Sequence, residues 1–394
     1  MSAQNNPRIP DVEFQERARR VQTSMRDQGI DLLLAYGNEA EPQFLRYLSD
    51  YWPSFESGGV LLAQQGEPLL LIGPESLTFA KDRSRIGNIR RLSAFRESSN
   101  PEYPGHQLDT FNTVIDELSG LSKPKRVAIA GFNLIGRMTF DALQEALNVY
   151  GSSSLVRGDE LLMNLRKVKS RNELDCLRFA SDITHKTFTH VLSEARPGMT
   201  ESQVRGLAAA KLFELGAESE SYPIWILAGK GSDQAISRAR HKIIENNDFV
   251  QLQIGARYEG YAATIGRPVF FGKPAQALLD AVIAGYEAYD SVSEQLFALN
   301  QARKVADAYR TALEKSGYAD WPLYGPCHGT GLMEGEPPWI ESNSDYILLE
   351  DMTYCVDVFM CNDAGYGFRI EDTVRVGAAG MENLTNFPRE IFRI

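Results

Sequence analysis

The hydrophobic pattern of the chain changes near residue 160, and this change limits the folds that the chain can adopt. Before it, helical patterns alternate with apolar runs of strand length, such as 32–36 and 126–130, which predicts an α/β domain. After it, helices group around strands expected near 249–254, 261–271, 352–360 and 367–376, as is typical of an α+β domain. We therefore predict two domains, residues 1–160 and 161–394, with boundaries that are accurate to several residues.

The charge of the chain narrows the range of partners. The sequence has 41 Lys and Arg against 52 Asp and Glu, a net charge of −11. Without a long basic stripe, this balance argues against binding to nucleic acid or to an anionic membrane surface. The apolar runs are shorter than the ~20 residues that cross a bilayer, and the first ten residues lack a secretory signal. We expect a cytoplasmic protein with a small-molecule substrate and four cysteines that remain thiols.

Two capping boxes predict where helices of the second domain begin. Ser170 and Glu173 form the first box, and Thr200 and Gln203 form the second. In each, the hydroxyl accepts a hydrogen bond from an amide of the first turn while the longer side chain reaches back to the cap. We therefore expect one long helix to begin just after residue 170 and another just after residue 200.

Four segments of the second domain occur in an order and spacing that resemble one hydrolase family. They are residues 249–261, His328-Gly-Thr-Gly-Leu332 with Glu336-Pro-Pro338, residues 352–359 and residues 367–374. Together they resemble the pita-bread hydrolases: creatinase, prolidase, aminopeptidase P and methionine aminopeptidase. Residues 45–49 and the overall layout extend the likeness to the first domain. The resemblance implies a creatinase-type α/β amino-terminal domain, an α+β pita-bread catalytic domain and, as is common among relatives, a homodimer.

Peptidases of this family hold two metal ions with two aspartates, one histidine and two glutamates. By the resemblance, the aspartate positions are Gln253 and Thr264, the histidine is His328, and the glutamate positions are Asp357 and Glu371. Two divalent ions carry four positive charges, so they need a cage rich in carboxylates. Two neutral residues would leave such a centre undercompensated by about two charges. We therefore predict no cofactor. If one divalent ion is present, we expect His328, Asp357 and Glu371 as its ligands.

Other positions also depart from the family pattern. The second histidine of the peptidases falls at Gly335, and the catalytic histidine of creatinase falls at Ile236. The creatinase glutamate that follows the second aspartate position is Gly266, so Glu371 alone remains of the creatinase carboxylates. Hydrolysis of creatine is therefore not expected.

These residues lead to a primary functional hypothesis and two alternatives. The primary hypothesis is a metal-independent, creatinase-like hydrolase that cleaves a C–N bond in a small nitrogen-rich metabolite. His328 would move protons, while Glu371 and Asp357 would orient or activate water and bind a cationic group. The alternatives are a mononuclear-metal Xaa-Pro aminopeptidase or dipeptidase and a catalytically inactive binding relative.

Further residues are expected to contact the substrate. In this family the amino-terminal domain of one subunit often overhangs the pocket of the other, so an aromatic segment of the first domain is included with polar residues of the second. The expected substrate-binding residues are Gln253, Thr264, Arg267, Glu336, Arg369, Tyr51, Trp52 and Phe55.

Overall fold

The computed structural model describes residues 6–119, 123–151 and 154–394, and they divide into two compact units. The first unit is Ile9–Arg166. The second consists of residues 167–394 together with the described residues before Ile9. Within the described residues, the helices are too short or too polar to cross a membrane.

The first unit contains a six-stranded mixed sheet with helices between its strands. Its elements are α1 (Asp11–Asp27), β1 (Leu32–Gly37), α2 (Gln43–Ser49), β2 (Gly58–Ala63), β3 (Leu69–Ile72), α3 (Leu77–Arg83), β4 (Ile89–Arg91), α4 (Phe111–Ser119), β5 (Arg126–Ala130), α5 (Arg137–Asn148), β6 (Ser154–Arg157) and α6 (Asp159–Arg166). The strand order is β4-β3-β2-β1-β5-β6. Every residue of the central strand β1 is buried, which explains its continuous apolar sequence. The predicted α/β class is confirmed.

The second unit is built on a ten-stranded sheet. Its elements are α7 (Arg171–Glu194), α8 (Glu201–Glu214), β7 (Ser219–Glu220), β8 (Trp225–Ala228), β9 (Phe249–Tyr258), β10 (Tyr261–Phe270), α9 (Gln276–Gln295), α10 (Ala302–Ser316), β11 (Cys327–Gly329), β12 (Glu336–Ile340), β13 (Thr353–Cys361), β14 (Gly367–Val376), β15 (Met381–Asn383) and β16 (Phe392–Arg393). The main strand order is β12-β11-β13-β14-β10-β9-β7. The predicted α+β class is also confirmed.

Both predicted capping boxes are present. The Ser170 hydroxyl accepts from the amide of Glu173 before α7, and the Thr200 hydroxyl accepts from the amide of Gln203 before α8. In each box the longer side chain accepts a hydrogen bond from the backbone amide of the cap residue. These local bonds fix the starts of α7, which packs on β9 and β10, and of α8, which packs on α7 and β8.

One face of the second sheet packs against the helices, which determines the character of the other face. Leu252 and Ile254 of β9 lie in an apolar cluster with side chains from α7 and α8. Val356 of β13 and Ile370 of β14 lie in another cluster with α9 and α10. Because side chains alternate along a strand, the residues between these point to the opposite face. We call that opposite face, which carries most of the polar residues of these strands, the polar face.

A buried ion pair lies on the helix-packed side. Arg267 and Asp372 are fully buried, and the guanidinium contacts both carboxylate oxygens at 2.9 Å. Arg267 also donates to the carbonyl oxygens of Phe387 and Pro388. The pair thereby ties the carboxyl-terminal segment to β10 and β14.

Replacement of Asp372 by Asn would leave the charge of Arg267 buried beside a neutral amide. We expect the free energy of unfolding to fall by about 3–5 kcal/mol, because an uncompensated buried charge is costly. The exposed pair Arg310 and Asp307 supplies the control, and Asp307→Asn should cost less than about 1 kcal/mol. Urea denaturation followed by circular dichroism measures both changes, and equal losses would contradict the assignment.

Candidate active site

Strand register places a row of side chains across the polar face. Trp225 pairs with Gln253, Gln253 with Gly266, Gly266 with Glu371, and Glu371 with Asp357. Directly paired residues of antiparallel strands project from the same face of a sheet. The fold therefore brings together Gln253, Asp357 and Glu371, which are far apart in sequence.

A second row contains the histidine. His328 pairs with Cys355, which in turn pairs with Thr373. The Nδ1 of His328 lies 3.1 Å from the carbonyl oxygen of Gly329, and a carbonyl only accepts, so Nδ1 carries the proton. The other ring nitrogen, Nε2, therefore keeps its lone pair. It lies 3.8 Å from Oε1 of Glu371.

Glu371 is fully buried and only half satisfied by hydrogen bonds. Its Oε2 accepts from the side-chain amide of Gln253, while its Oε1 has no hydrogen-bond partner among the described residues. Burial raises the pKa of this carboxyl well above its usual value, and the nearby charges of Asp357 and Glu334 raise it further, as does a side-chain hydrogen bond with Glu334. The unpaired oxygen is thus a strong site for a proton or a cation.

The carboxylate of Glu334 belongs to the site, although the sequence analysis named Glu336 instead. Oε1 of Glu334 lies 3.5 Å from Nε2 of His328. Glu336 is buried and contacts Lys169 at 3.4 Å, while its other oxygen accepts from the amide of Met333. In the sequence, Glu334 is a second carboxylate in the loop after His328, at a position where the resemblance gives no ligand, and it was therefore missed.

Asp357 is engaged in a network centred on Arg369. The guanidinium of Arg369 donates to Oδ1 of Asp357 at 2.7 Å, to Oε1 of Gln253 at 2.6 Å and to the Tyr324 hydroxyl. The Tyr324 hydroxyl donates to Oδ2 of Asp357 at 2.8 Å. Both oxygens of Asp357 thus accept hydrogen bonds from this network, and Oδ2 also lies 3.9 Å from Nε2 of His328.

Four donor groups come together beside this network. His328, Glu334, Cys355 and Glu371 each offer one ligand atom, and these atoms lie within 4.8 Å of one another. When Glu334, Glu371 and Asp357 are all ionised, these three carboxylates exceed the guanidinium of Arg369 by two negative charges. Such an excess is expensive to bury unless it is compensated. The donor atoms and their charge therefore fit one divalent ion.

Several polar groups around the cluster have no hydrogen-bond partner among the described residues. They are Oγ of Ser221, the hydroxyl of Tyr222, Nε1 of Trp225 and Oγ1 of Thr264. Gly255 gives Ser221 and Thr264 room, since a Cβ there would lie 2.0 Å and 3.0 Å from their hydroxyl oxygens. The nearby charges of Glu371 and Glu334 add to the effect of burial in raising the pKa of Tyr222. The sequence analysis did not identify segment 221–225.

The remaining expected substrate-binding residues have other surroundings. Arg267 projects from the helix-packed side and is saturated by Asp372 and backbone carbonyls, as described above. In the first unit, Tyr51 is buried against Phe79, and the indole N–H of Trp52 donates to the carbonyl of Glu39. Phe55 is 84% exposed.

Fold and site together define a pita-bread hydrolase, as the sequence predicted. The chain belongs to Metallopeptidase family M24, which residues 175–378 match, and residues 17–168 match the Creatinase/Prolidase N-terminal domain. This membership confirms the predicted family, with its creatinase-type amino-terminal domain, and a hydrolase that acts on C–N bonds.

Known proteins support the assignment over most of the chain. An uncharacterized peptidase, YqhT, of Bacillus subtilis is 29% identical over 65% of this chain and 75% of its own. The Xaa-Pro dipeptidase of Pyrococcus furiosus is 27% identical over 59% of this chain and 67% of its own. Two crystal structures share the fold. X-Pro aminopeptidase from Thermotoga maritima superposes with a TM-score of 0.82 and 23% identity, over 96% of this chain and 99% of its own. Dipeptidase PepE from Mycobacterium ulcerans superposes with a TM-score of 0.83 and 21% identity, over 98% of this chain and 99% of its own.

Two predictions are wrong in light of these findings. The primary hypothesis of a metal-independent, creatinase-like hydrolase is overturned by membership of a metallopeptidase family and by relatives named as Xaa-Pro dipeptidases. The prediction of no cofactor fails for the same reason, and the donor cluster gives the physical cause. The inherited ligand positions alone do not balance four positive charges, and they do not include the carboxylate of Glu334. Of the conditional ligands, His328 and Glu371 lie in the cluster and Asp357 does not.

Gly266 lies against the side chains of Glu371 and Arg369, and its substitution tests how tightly the network is packed. A Cβ at this position would lie 3.1 Å from Cβ of Glu371 and 3.3 Å from Cγ of Arg369, both of which are held by hydrogen bonds. We expect Gly266→Ala to destabilise the protein by about 1–3 kcal/mol. Gly206 lies in α8 with open space around it, so Gly206→Ala should stabilise by about 0.5–1 kcal/mol. Thermal unfolding measures both, and a gain from Gly266→Ala would contradict this view of the site.

Proposed function

We propose that the protein is a peptidase of the Xaa-Pro dipeptidase type that works with one divalent metal ion. The observation that carries this proposal is the unpaired Oε1 of Glu371, which faces the lone pair of His328 Nε2 at 3.8 Å. The Xaa-Pro dipeptidase of Pyrococcus furiosus supports the substrate class. Gln253 and Thr264, where the resemblance places two aspartates, make two ions unfavourable on grounds of charge.

The residues that would hold the ion come from three places in the sheet. His328 lies on β11 and Glu371 on β14, while Glu334 completes the set from the loop between β11 and β12. When bound, such an ion polarises a carbonyl group and lowers the pKa of water so that hydroxide is available near neutral pH. The bond from Nδ1 of His328 to the carbonyl of Gly329 fixes the ring with Nε2 towards the cluster.

Other residues hold the site in place and offer contacts to a substrate. Gln253 accepts a hydrogen bond from Arg369 and donates one to Oε2 of Glu371, so it fixes the orientation of the Glu371 carboxylate. Because the raised pKa of Tyr222 keeps its phenol protonated, its hydroxyl is a donor for a carbonyl oxygen of the substrate. The free hydroxyl of Thr264 offers a second contact. Displacement of water from these groups would strengthen each of these bonds.

The test is hydrolysis of Xaa-Pro dipeptides by purified protein before and after removal of metal ions. We expect activity with added zinc, manganese or cobalt and its loss on chelation. Glu371→Gln should lower kcat/KM at least about 100-fold, because it removes a charged ligand and the polarisation that depends on it. His185, whose Nδ1 contacts the carbonyl of Thr385 outside the site, gives the control, and His185→Ala should retain activity.

Two results would contradict the proposal. Activity that survives complete removal of metal ions would exclude the metal-dependent mechanism. Binding of an Xaa-Pro dipeptide without turnover, at any metal loading, would favour the catalytically inactive relative.

We also propose that the protein is a cytoplasmic homodimer, with Phe55 in the contact between copies. The resemblance supports a dimer, and the four free cysteines are compatible with a reducing compartment. Phe55 adopts a φ of 59° and is 84% exposed, while its amide donates to Glu39 at 3.0 Å. Because relatives often place the amino-terminal domain of one subunit over the pocket of the other, an exposed aromatic side chain in this segment is available for such a contact.

Replacement of Phe55 by Asp should weaken this dimer at least about tenfold, since a charge would be buried at the contact. Phe213 of α8 is 56% exposed and serves as the control, so Phe213→Asp should leave assembly unchanged. Sedimentation equilibrium measures both constants. A monomeric unaltered protein at micromolar concentration would exclude the proposal.

A further inference from the structure

Cys355 is, with Glu334, one of two members of the donor cluster that the family resemblance does not account for. It is fully buried on the polar face, with His328 on one neighbouring strand and Thr373 on the other as its register partners. Its Sγ lies 3.8 Å from Oγ1 of Thr373, a long contact even for sulfur. Burial and the charges of Glu371 and Glu334 raise the pKa of the thiol well above its usual value.

We propose that Cys355 supplies a thiolate to the bound ion and that the centre therefore selects zinc over manganese. The inference rests on the proposed function only in requiring that one ion binds at the cluster. His328, Cys355 and Glu371 would be the three ligands from strands, and Glu334 the fourth from a loop.

The distances between donor atoms support this assignment. Donors around a tetrahedral zinc ion at ~2.0–2.3 Å lie roughly 3.3–3.8 Å from one another. Nε2 of His328 is 3.5 Å from Oε1 of Glu334 and 3.8 Å from Oε1 of Glu371, and Sγ of Cys355 lies within 4.8 Å of these atoms. Small side-chain rotations would complete the arrangement.

The position of each donor also leaves room for catalysis. The three strand ligands are buried and fixed by register, whereas the side chain of Glu334 is 22% exposed on its loop. A catalytic zinc site has three protein ligands and a fourth position that water or substrate can take. Glu334 would be the ligand that dissociates, so that water or substrate can occupy the fourth position.

The chemistry of sulfur gives the selectivity. Thiolate and imidazole favour zinc, whereas carboxylate and water favour manganese and magnesium. Loss of the thiol proton adds one negative charge, so the zinc-loaded centre with Asp357 and Arg369 keeps a single excess negative charge. A substrate with a free α-ammonium group would compensate it, which agrees with a dipeptide.

Cobalt(II) reports directly on the sulfur ligand without reference to turnover. We expect metal-free protein to develop, on addition of cobalt, the visible bands of a tetrahedral ion and a near-ultraviolet charge-transfer band from thiolate. Cys355→Ser should lose the charge-transfer band and bind zinc about 10–100-fold more weakly, with manganese affinity changed far less. Cys361 ends the same strand and supplies the control, so Cys361→Ser should keep the band and the zinc affinity.

The possible outcomes separate this inference from the proposed function. Visible cobalt bands without the charge-transfer band would overturn the role of Cys355 and leave a single-ion peptidase in place. A Cys355→Ser protein with an unchanged ratio of zinc to manganese affinity would also overturn it. Failure of the unaltered protein to bind cobalt or zinc would overturn both proposals.

A measurement on the unaltered protein keeps the inference testable if Cys355→Ser does not fold. X-ray absorption at the zinc edge should show one sulfur at ~2.3 Å with the remaining ligands as nitrogen or oxygen at ~2.0–2.2 Å. A zinc shell of nitrogen and oxygen alone would refute a thiolate ligand.

Discussion

The arrangement of the site depends on excess negative charge held at the polar face of the second sheet. Three carboxylates and one guanidinium lie together, and Oε1 of Glu371 has no hydrogen-bond partner among the described residues. A buried carboxylate without a partner costs several kcal/mol, so the fold retains it only if something else compensates the charge. Arg369 compensates Asp357, and Gln253 satisfies the other oxygen of Glu371. What remains unpaired is the set of atoms that suits a cation.

The fold was largely predictable because its determinants are local and repetitive. The strand at 126–130, the strand at 367–376 and both capping boxes are found where hydrophobic period and cap chemistry place them. Strand ends differ by a few residues, as for β9, which was expected at 249–254 and extends to Tyr258. The short strand β8 was not predicted because four residues carry too little periodicity. Its position comes from pairing with β9, which brings Trp225 against Arg369.

The site was only partly predictable, and the error has a specific physical origin. His328, Asp357 and Glu371 were identified from their family positions, and the structure does bring them together. The charge at the centre, however, depends on which side chains lie close together in the folded chain, and not only on the positions that match the family pattern. Glu334 adds a charge, and Cys355 adds a sulfur donor, at positions where the resemblance gives no ligand. Counting only the inherited positions made the cavity look too neutral for two ions and favoured a site without metal, although the donors at hand suit one ion.

Strand register explains how a ligand set can change without loss of the fold. A side chain on the polar face has register neighbours on both adjacent strands, and each is within reach of the same point in space. His328 and Cys355 are such neighbours, so a donor at Cys355 approaches the ion from the row next to Glu371. An oxygen ligand lost at Gln253 or Thr264 can thus be replaced by a donor on another strand, while the helix-packed face keeps its apolar residues. Because successive side chains of a strand point to opposite faces, ligand residues and core residues occupy different positions. The chemistry of the polar face can therefore vary without disturbing the core on the other face.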